Sequence, residues 1–318
     1  MTDSPQSTLA LPSPRKVTCP IVDVHTHSAP NRETARLIEA ADIYGITKLV
    51  VISKLDAGLA LCAAFPGRVI PATWLEYDRA ADTKAFVADN LRLLDRAASA
   101  GVHIVKFWFA PRFYKERHMR LDDERLEPIF AAMGRLGFLA LVHIADPDIW
   151  FRKYYADRSL YGTKEEQYQP LERVLAAHHD VNFIAAHLGG DPEHLGHLDA
   201  LLRAHRNLYL DTSATRWLVR ELGRQTGATR EFFARNSDRI LFGTDQVVLE
   251  SSEPERYTSR YWIHQVFWET DTVCPLPIDD PDATGQPVLS GVNLPADVLE
   301  KIYWKNPARL LGLEESIP

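Results

Sequence analysis

Apolar residues along this chain fall into short, near-continuous runs, and the segments between them repeat their apolar positions every three to four residues. Eight runs stand out, at 19–27 (CPIVDVHTH), 46–53, 68–77, 101–111, 137–146, 181–190, 207–215 and 239–246. Intervening segments such as 32–45, 83–101 and 123–137 predict helices, and the last two close on Gly101 and Gly137, a common helix stop. Strands that are apolar on both faces, alternating with helices, predict a parallel sheet covered by helices. Eight such units predict an α/β fold of the (β/α)8 TIM-barrel type. Two connections are long, 147–170 after strand five and 251–293 after strand eight. Both leave strand C-termini, the face where such barrels build their sites, so they are expected to be lids or substrate walls. With no internal repeat, the chain reads as one domain over 19–318. A Ser- and Pro-rich tail over 1–18 precedes it, flexible or packed beneath the body.

The polar exceptions to this pattern carry the chemistry. His25 and His27 close the first run one residue apart, and a strand's side-chain period of two points both to one face. His143 lies near the end of strand five, His187 ends strand six, and Asp245 holds the same place on strand eight. A barrel brings these remote residues to a single rim. One histidine at a strand end is more often a hydrogen-bonded structural residue. Five convergent groups would each need a buried partner, and imidazole with carboxylate is a ligand set suited to Zn²⁺, Mn²⁺ or Fe²⁺. His103 starts its strand, and His118, His178, His179, His194, His197, His205 and His264 fall in helices or loops. Of these, His194 and His197 follow strand six most closely.

VDVHTH, the strand-five His143, AHLGG at His187, FGTD at Asp245 and the closing VLEKIYWKNPARLLGL together resemble the amidohydrolase superfamily. The likeness is to its amidohydrolase-related branch, aminocarboxymuconate-semialdehyde decarboxylase-like metal-dependent hydrolases and decarboxylases, and it runs from about residue 19 to the end. The resemblance implies one divalent ion, zinc first and Mn²⁺ as the alternative, on His25, His27, His143 and Asp245. It also implies Asp245 and His187 as catalytic residues beside an activated water. Lys106 lies inside strand four. The resemblance offers it either as a carboxylated lysine bridging two metals or as a cation facing the pocket of a mononuclear site, and the second reading is preferred here. The leading expectation is a metal-dependent hydrolase acting on a C–N, C–O or lactone bond of a small molecule. The alternative is a non-oxidative decarboxylase of an aromatic or unsaturated acid, and a third class is a non-catalytic binding barrel.

Trp74, Trp108 and Arg112 join Lys106 as expected substrate contacts, since aromatics and arginines at a barrel mouth suit planar or carboxylated molecules. Glu76, Trp150, Arg152, Tyr154, Tyr155, Arg216 and Trp217 are weaker candidates that can equally pack the loops down. The net charge of −7 and the absence of any basic run argue against nucleic acid and anionic membranes as partners. No apolar run reaches the ~20 residues of a membrane span. Three scattered cysteines and an N-terminus lacking a basic and apolar leader fit a cytoplasmic protein. The Trp-rich stretch 260–270 is expected to cover the barrel or to join two subunits of a homodimer.

Overall fold

The computed structural model describes residues 15–250 and 255–313. Nine parallel strands form one curled sheet: β1 Ile21–His27, β2 Ile46–Ser53, β3 Val69–Trp74, β4 Ile104–Trp108, β5 Leu139–His143, β6 Asn182–Ala185, β7 Leu208–Asp211, β8 Ile240–Leu241 and β9 Gln246–Val247. Their order is β8-β7-β6-β5-β4-β3-β2-β1-β9. The expected eighth strand is thus split into β8, which pairs with β7, and β9, which pairs with β1. Between them Val24 N–H donates to Phe242 O at 2.9 Å and Asp245 N–H to His25 O at 2.8 Å. Residues 240–247 therefore span the two edges of the curled sheet. The split falls where Asp245 takes a left-handed conformation (φ 57°), which no regular strand accommodates.

Helices fill the connections: α1 Glu33–Ile43, α2 Leu55–Ala64, α3 Thr83–Ser99, α4 Pro111–Arg117, α5 Glu127–Leu136, α6 Asp148–Lys153, α7 Arg158–Tyr161 and α8 Lys164–Ala177. The second half adds α9 Leu195–Ala204, α10 Thr215–Gly223, α11 Thr226–Arg235 and α12 Glu255–Glu269, then α13 Ala296–Glu300 and α14 Asn306–Leu311. The segment after β5 is therefore mostly helical. A capping box, Thr163 with Glu166, starts α8 there. After β9 come α12 and a small hairpin, β10 Val273–Pro275 with β11 Val288–Ser290. The Trp-rich stretch lies in α12, whose Tyr257, Tyr261, Ile263, Phe267 and Trp268 are buried in the core. Of the tail, residues 1–14 lie outside the described residues. Lys16 N–H donates to Glu269 Oε2 at 2.7 Å and Val17 is buried.

Two apolar layers result. The outer one packs helices on strands through residues such as Leu49, Val51, Phe107 and Val142. The inner one fills the curl with Val22, Val24, Val50, Ile52, Leu141 and Ile184. Leu141 is fully buried, so truncating it to Ala would cost roughly 2–5 kcal/mol.

β1 departs from simple alternation. Asp23 pairs with Leu49 and Thr26 with Val51, so β1 advances three residues while β2 advances two. This β-bulge resets the parity of the strand. Val22 and Val24 face inward below it, and His25 and His27 face inward above it. The period-two argument thus holds for the histidine pair only because both lie beyond the bulge.

Candidate active site

The C-terminal ends of the strands meet at one rim, where a parallel sheet places its polar strand-end residues together. His25 Nε2 and His27 Nε2 stand 3.3 Å apart. Asp245 Oδ1 is 3.1 Å from His27 Nε2 and 3.5 Å from His25 Nε2. His25 is wholly buried, while His27 and Asp245 are partly exposed. Trp74, at the end of β3, stacks on the His27 ring with centroids 5.4 Å apart.

Behind this trio is a buried polar layer that the sequence reading did not single out. Asp211, the last residue of β7, places Oδ2 2.8 Å from His25 Nδ1. A carboxylate only accepts, so His25 Nδ1–H donates and its Nε2 lone pair faces the rim. Ser213 Oγ donates to Asp211 Oδ1 and accepts from His187 Nδ1 at 2.7 Å, which leaves the His187 Nε2 lone pair free as well. Asp211 Oδ1 also accepts from His187 N–H at 2.8 Å. An aspartate at a strand end reads as a turn residue in sequence. Only the run LYLDTSAT, with Asp and Ser two apart at the rim, carried a signal.

Backbone geometry singles out the same places. Of the six described residues other than glycine with positive φ, four, His187, Leu188, Ala214 and Asp245 (60°, 50°, 70° and 57°), lie just past strand ends at this rim, conformations that surrounding hydrogen bonds must hold. The glycine pair of AHLGG has a steric reason. A Cβ on Gly190 (φ +74°) would come within 2.0 Å of Ala145 O.

Lys106 is fully buried in β4 and its Nζ lies 3.0 Å from His25 Nε2. Burial lowers its ammonium to about 8. Burial, and then Lys106, brings His25 down to about 4, and burial holds His187 well below the usual imidazole range. Burial works against the charge of Asp245, yet the hydrogen bond from His27 and the neighbouring imidazoles keep its carboxyl well below the usual range.

Three of the four expected ligands thus come together. His143 stands apart from them: its Nε2 is 3.0 Å from Asp146 Oδ1, and its ring packs edge-on against His187 with centroids 4.7 Å apart. Asp146 is itself buried and accepts from Tyr155 OH at 2.8 Å. The donor set fits a metal ion. Two imidazole nitrogens and a carboxylate oxygen lie close enough together to ligate one ion. The far nitrogen of His25 is engaged on Asp211, as a metal-bound imidazole's is.

A cavity of about 440 Å³ opens beside Asp245. Its wall includes Arg112, Trp150, Tyr154, Arg216, Trp217 and Arg260, with Arg256 and the turn Asp280–Asp282. Of the four expected substrate contacts only Arg112 belongs to this wall. Trp74 and Lys106 touch the histidines, and Trp108 packs on Phe113. Glu76 and Arg152 line other hollows. Arg256 and Arg260 were missed because they lie on α12, in the long segment after β9 and not at a strand end.

A second polar cluster joins Asp148, Asp191, Glu193 and His194, but Lys164 occupies it. Lys164 Nζ lies 2.7 Å from Asp148, 2.8 Å from Asp191 and 3.3 Å from Glu193. His194 and His197 both bond Asp191, at 2.6 and 2.7 Å. This network ties the start of α8 to the segment leading into α9.

Fold and rim together define an α/β protein of the barrel class with a candidate His/His/Asp metal site at the strand ends. The amidohydrolase family model matches residues 22–313, and the chain belongs to that family. No curated protein matches it in sequence. In fold it is similar to an uncharacterised TIM-barrel protein from Bordetella bronchiseptica, at 20% identity and TM-score 0.58, over 93% of this chain and 99% of that one. It is also similar to 5-carboxyvanillate decarboxylase from Novosphingobium aromaticivorans, complexed with manganese and 4-hydroxy-3-methoxy-5-nitrobenzoic acid, at 13% identity and TM-score 0.56 over 92% and 96%. A third is 4-oxalomesaconate hydratase from Rhodopseudomonas palustris, at 15% identity and TM-score 0.55 over 92% and 96%. Among the described residues, no helix is long and apolar enough to cross a membrane, and the three cysteines are free.

Proposed function

We propose that this protein is a metal-dependent hydrolase of a small molecule, opening a C–N, C–O or lactone bond. The observation that carries the reading is the double position of Asp245. Its carboxylate contacts both His25 and His27 and also forms part of the cavity wall. His25, His27 and Asp245 would hold one divalent ion, with His143, across the His187 ring, as the fourth candidate ligand. Zn²⁺ and Mn²⁺ both suit such a set. The ion supplies a Lewis acid that polarises a carbonyl and makes water acidic near neutral pH.

The chain's own residues supply the rest. Asp245, held ionised, accepts a proton at the cavity wall. His187 presents its Nε2 lone pair beside it, fixed by Ser213. Trp74 holds the His27 ring by stacking. Lys106 places a positive charge where negative charge develops on the substrate.

A second reading, decarboxylation of an aromatic or unsaturated acid, is supported by that same lysine. Hydrolysis begins with removal of a proton, whereas decarboxylation ends with delivery of one to carbon, and the Lys106 ammonium, 3.0 Å from His25 Nε2, is a proton donor beside the cluster. The likeness in fold to a manganese-containing decarboxylase supports it as well. Protein loaded with Zn²⁺ or Mn²⁺ should be incubated with lactones, amides and hydroxybenzoates. Acid release without CO₂ is the expected result, and CO₂ release would replace hydrolysis by the second reading. Metal content of His143→Ala tests the ligand set: a drop places His143 in it, and an unchanged content leaves it as the neighbour of His187.

A further inference from the structure

We infer that the cavity takes a substrate carrying an anionic group, carboxylate or phosphate, at the end remote from the reacting bond, gripped by Arg216, Arg256 and Arg260. The inference rests on the proposed function for which end reacts, but the anion site itself stands on separate residues.

Arginines in this protein are commonly paired. Arg220 bonds Glu221 and Asp280, Arg125 bonds Asp123, and Arg173 bonds Asp122. Those of the cavity differ. Arg112, Arg216, Arg256 and Arg260 have no carboxylate at ion-pair distance among the described residues. The two aspartates across the cavity are already satisfied. Asp280 is taken by Arg220, and Asp282 accepts from Trp150 Nε1 at 2.8 Å, Lys153 Nζ at 2.8 Å and Tyr154 OH at 2.9 Å.

The positive charge on this wall therefore has no carboxylate at ion-pair distance, and on Arg256 and Arg260 it is partly desolvated. Arg260 is half-buried, with Nη1 donating to Arg256 O at 2.7 Å. Burial, and then Arg256 and Arg216, pulls its guanidinium down to about 10. Arg256 Nε is buried without any hydrogen-bond partner. A solvated surface arginine costs nothing of this kind. A half-buried guanidinium with an unpartnered Nε, beside two others, is costly until an anion arrives, and the planar fork of each matches an oxyanion. The cavity's volume lies in the range of small-molecule sites.

The test measures binding of inorganic phosphate and of glutarate to the full chain by calorimetry, at matched ionic strength in chloride, with neutral glutaramide as control. Phosphate or glutarate is expected to bind and glutaramide not. Arg256→Met and Arg260→Met should each weaken binding about tenfold or more, and Arg260→Lys, which keeps the charge but loses the fork, should fall between. A preference for phosphate assigns a phosphoryl group, and a preference for glutarate assigns a carboxylate. His27→Ala should lose metal yet keep the anion, so failure of the metal reading and of this one are told apart. Binding that never exceeds chloride, or wild-type affinity in both methionine variants, would overturn the inference. Circular dichroism of each variant checks that it is folded.

Discussion

His25 Nδ1 lies 2.8 Å from Asp211 Oδ2, and neither side chain is reached by solvent. The carboxylate thereby fixes the tautomer and direction of the one imidazole that touches His27, Asp245 and Lys106 at once.

Asp211→Asn keeps the shape of this support but removes its charge and one acceptor oxygen. Affinity for Zn²⁺ or Mn²⁺ should fall roughly 10- to 100-fold, in line with other second-layer carboxylates behind metal-bound histidines. Competition against a chelating dye measures it. Unchanged affinity would mean that the buried pair serves packing alone.

The double variant His25→Ala with His27→Ala should lose metal and activity together while its circular dichroism stays that of a folded α/β protein. His187→Asn should retain one metal per chain and turn over far more slowly. Elemental analysis decides between arrangements, because loss of one of two ions in His187→Asn would favour a binuclear site bridged by Lys106.

Acid stability should depend on Asp191. Burial opposes its charge, but hydrogen bonds from His197 and the Lys164 ammonium bring its carboxyl down to about 2. A carboxyl lowered in the folded state stabilises it fully above its unfolded value near 4, and that contribution disappears as pH falls through about 2. The size is about 2 kcal/mol. Urea unfolding between about pH 5 and pH 2 should therefore show a shallower loss of stability in Asp191→Asn than in the natural chain. Parallel curves would locate the acid sensitivity elsewhere.

Asp282→Ala should release Trp150, Lys153 and Tyr154 together and loosen α6 over the cavity. Hydrogen exchange across 148–155 should accelerate, with metal content unchanged. Exchange as slow as in the natural chain would show that α6 is held by its packing and not by this aspartate.

Much of this arrangement was legible in the chain because burial on both faces leaves unmistakable apolar runs, as in ITKLVVIS for β2 and LALVH for β5. The split of the eighth strand was not, since its cause is the left-handed backbone at Asp245, and an aspartate rarely announces that conformation. The inward pair His25 and His27 was read by alternation, although a bulge sets the parity that the argument assumed. Asp211 and Asp146 escaped because a buried carboxylate differs from a turn aspartate only through its partners. Arg256 and Arg260 escaped for a spatial reason: α12 folds back to the rim after the last strand of the curled sheet, and no local pattern records that return.

Residues 240–247 bond β7 at one end and β1 at the other, and they deliver Asp245 between. Closing the sheet and completing the trio of proposed metal ligands are consequently one event. A nascent or partly unfolded chain offers two imidazoles without their carboxylate, too few donors to retain an ion against cellular competitors. Metal uptake would then serve as a quality mark, acquired by chains whose last strand has docked and withheld from the rest.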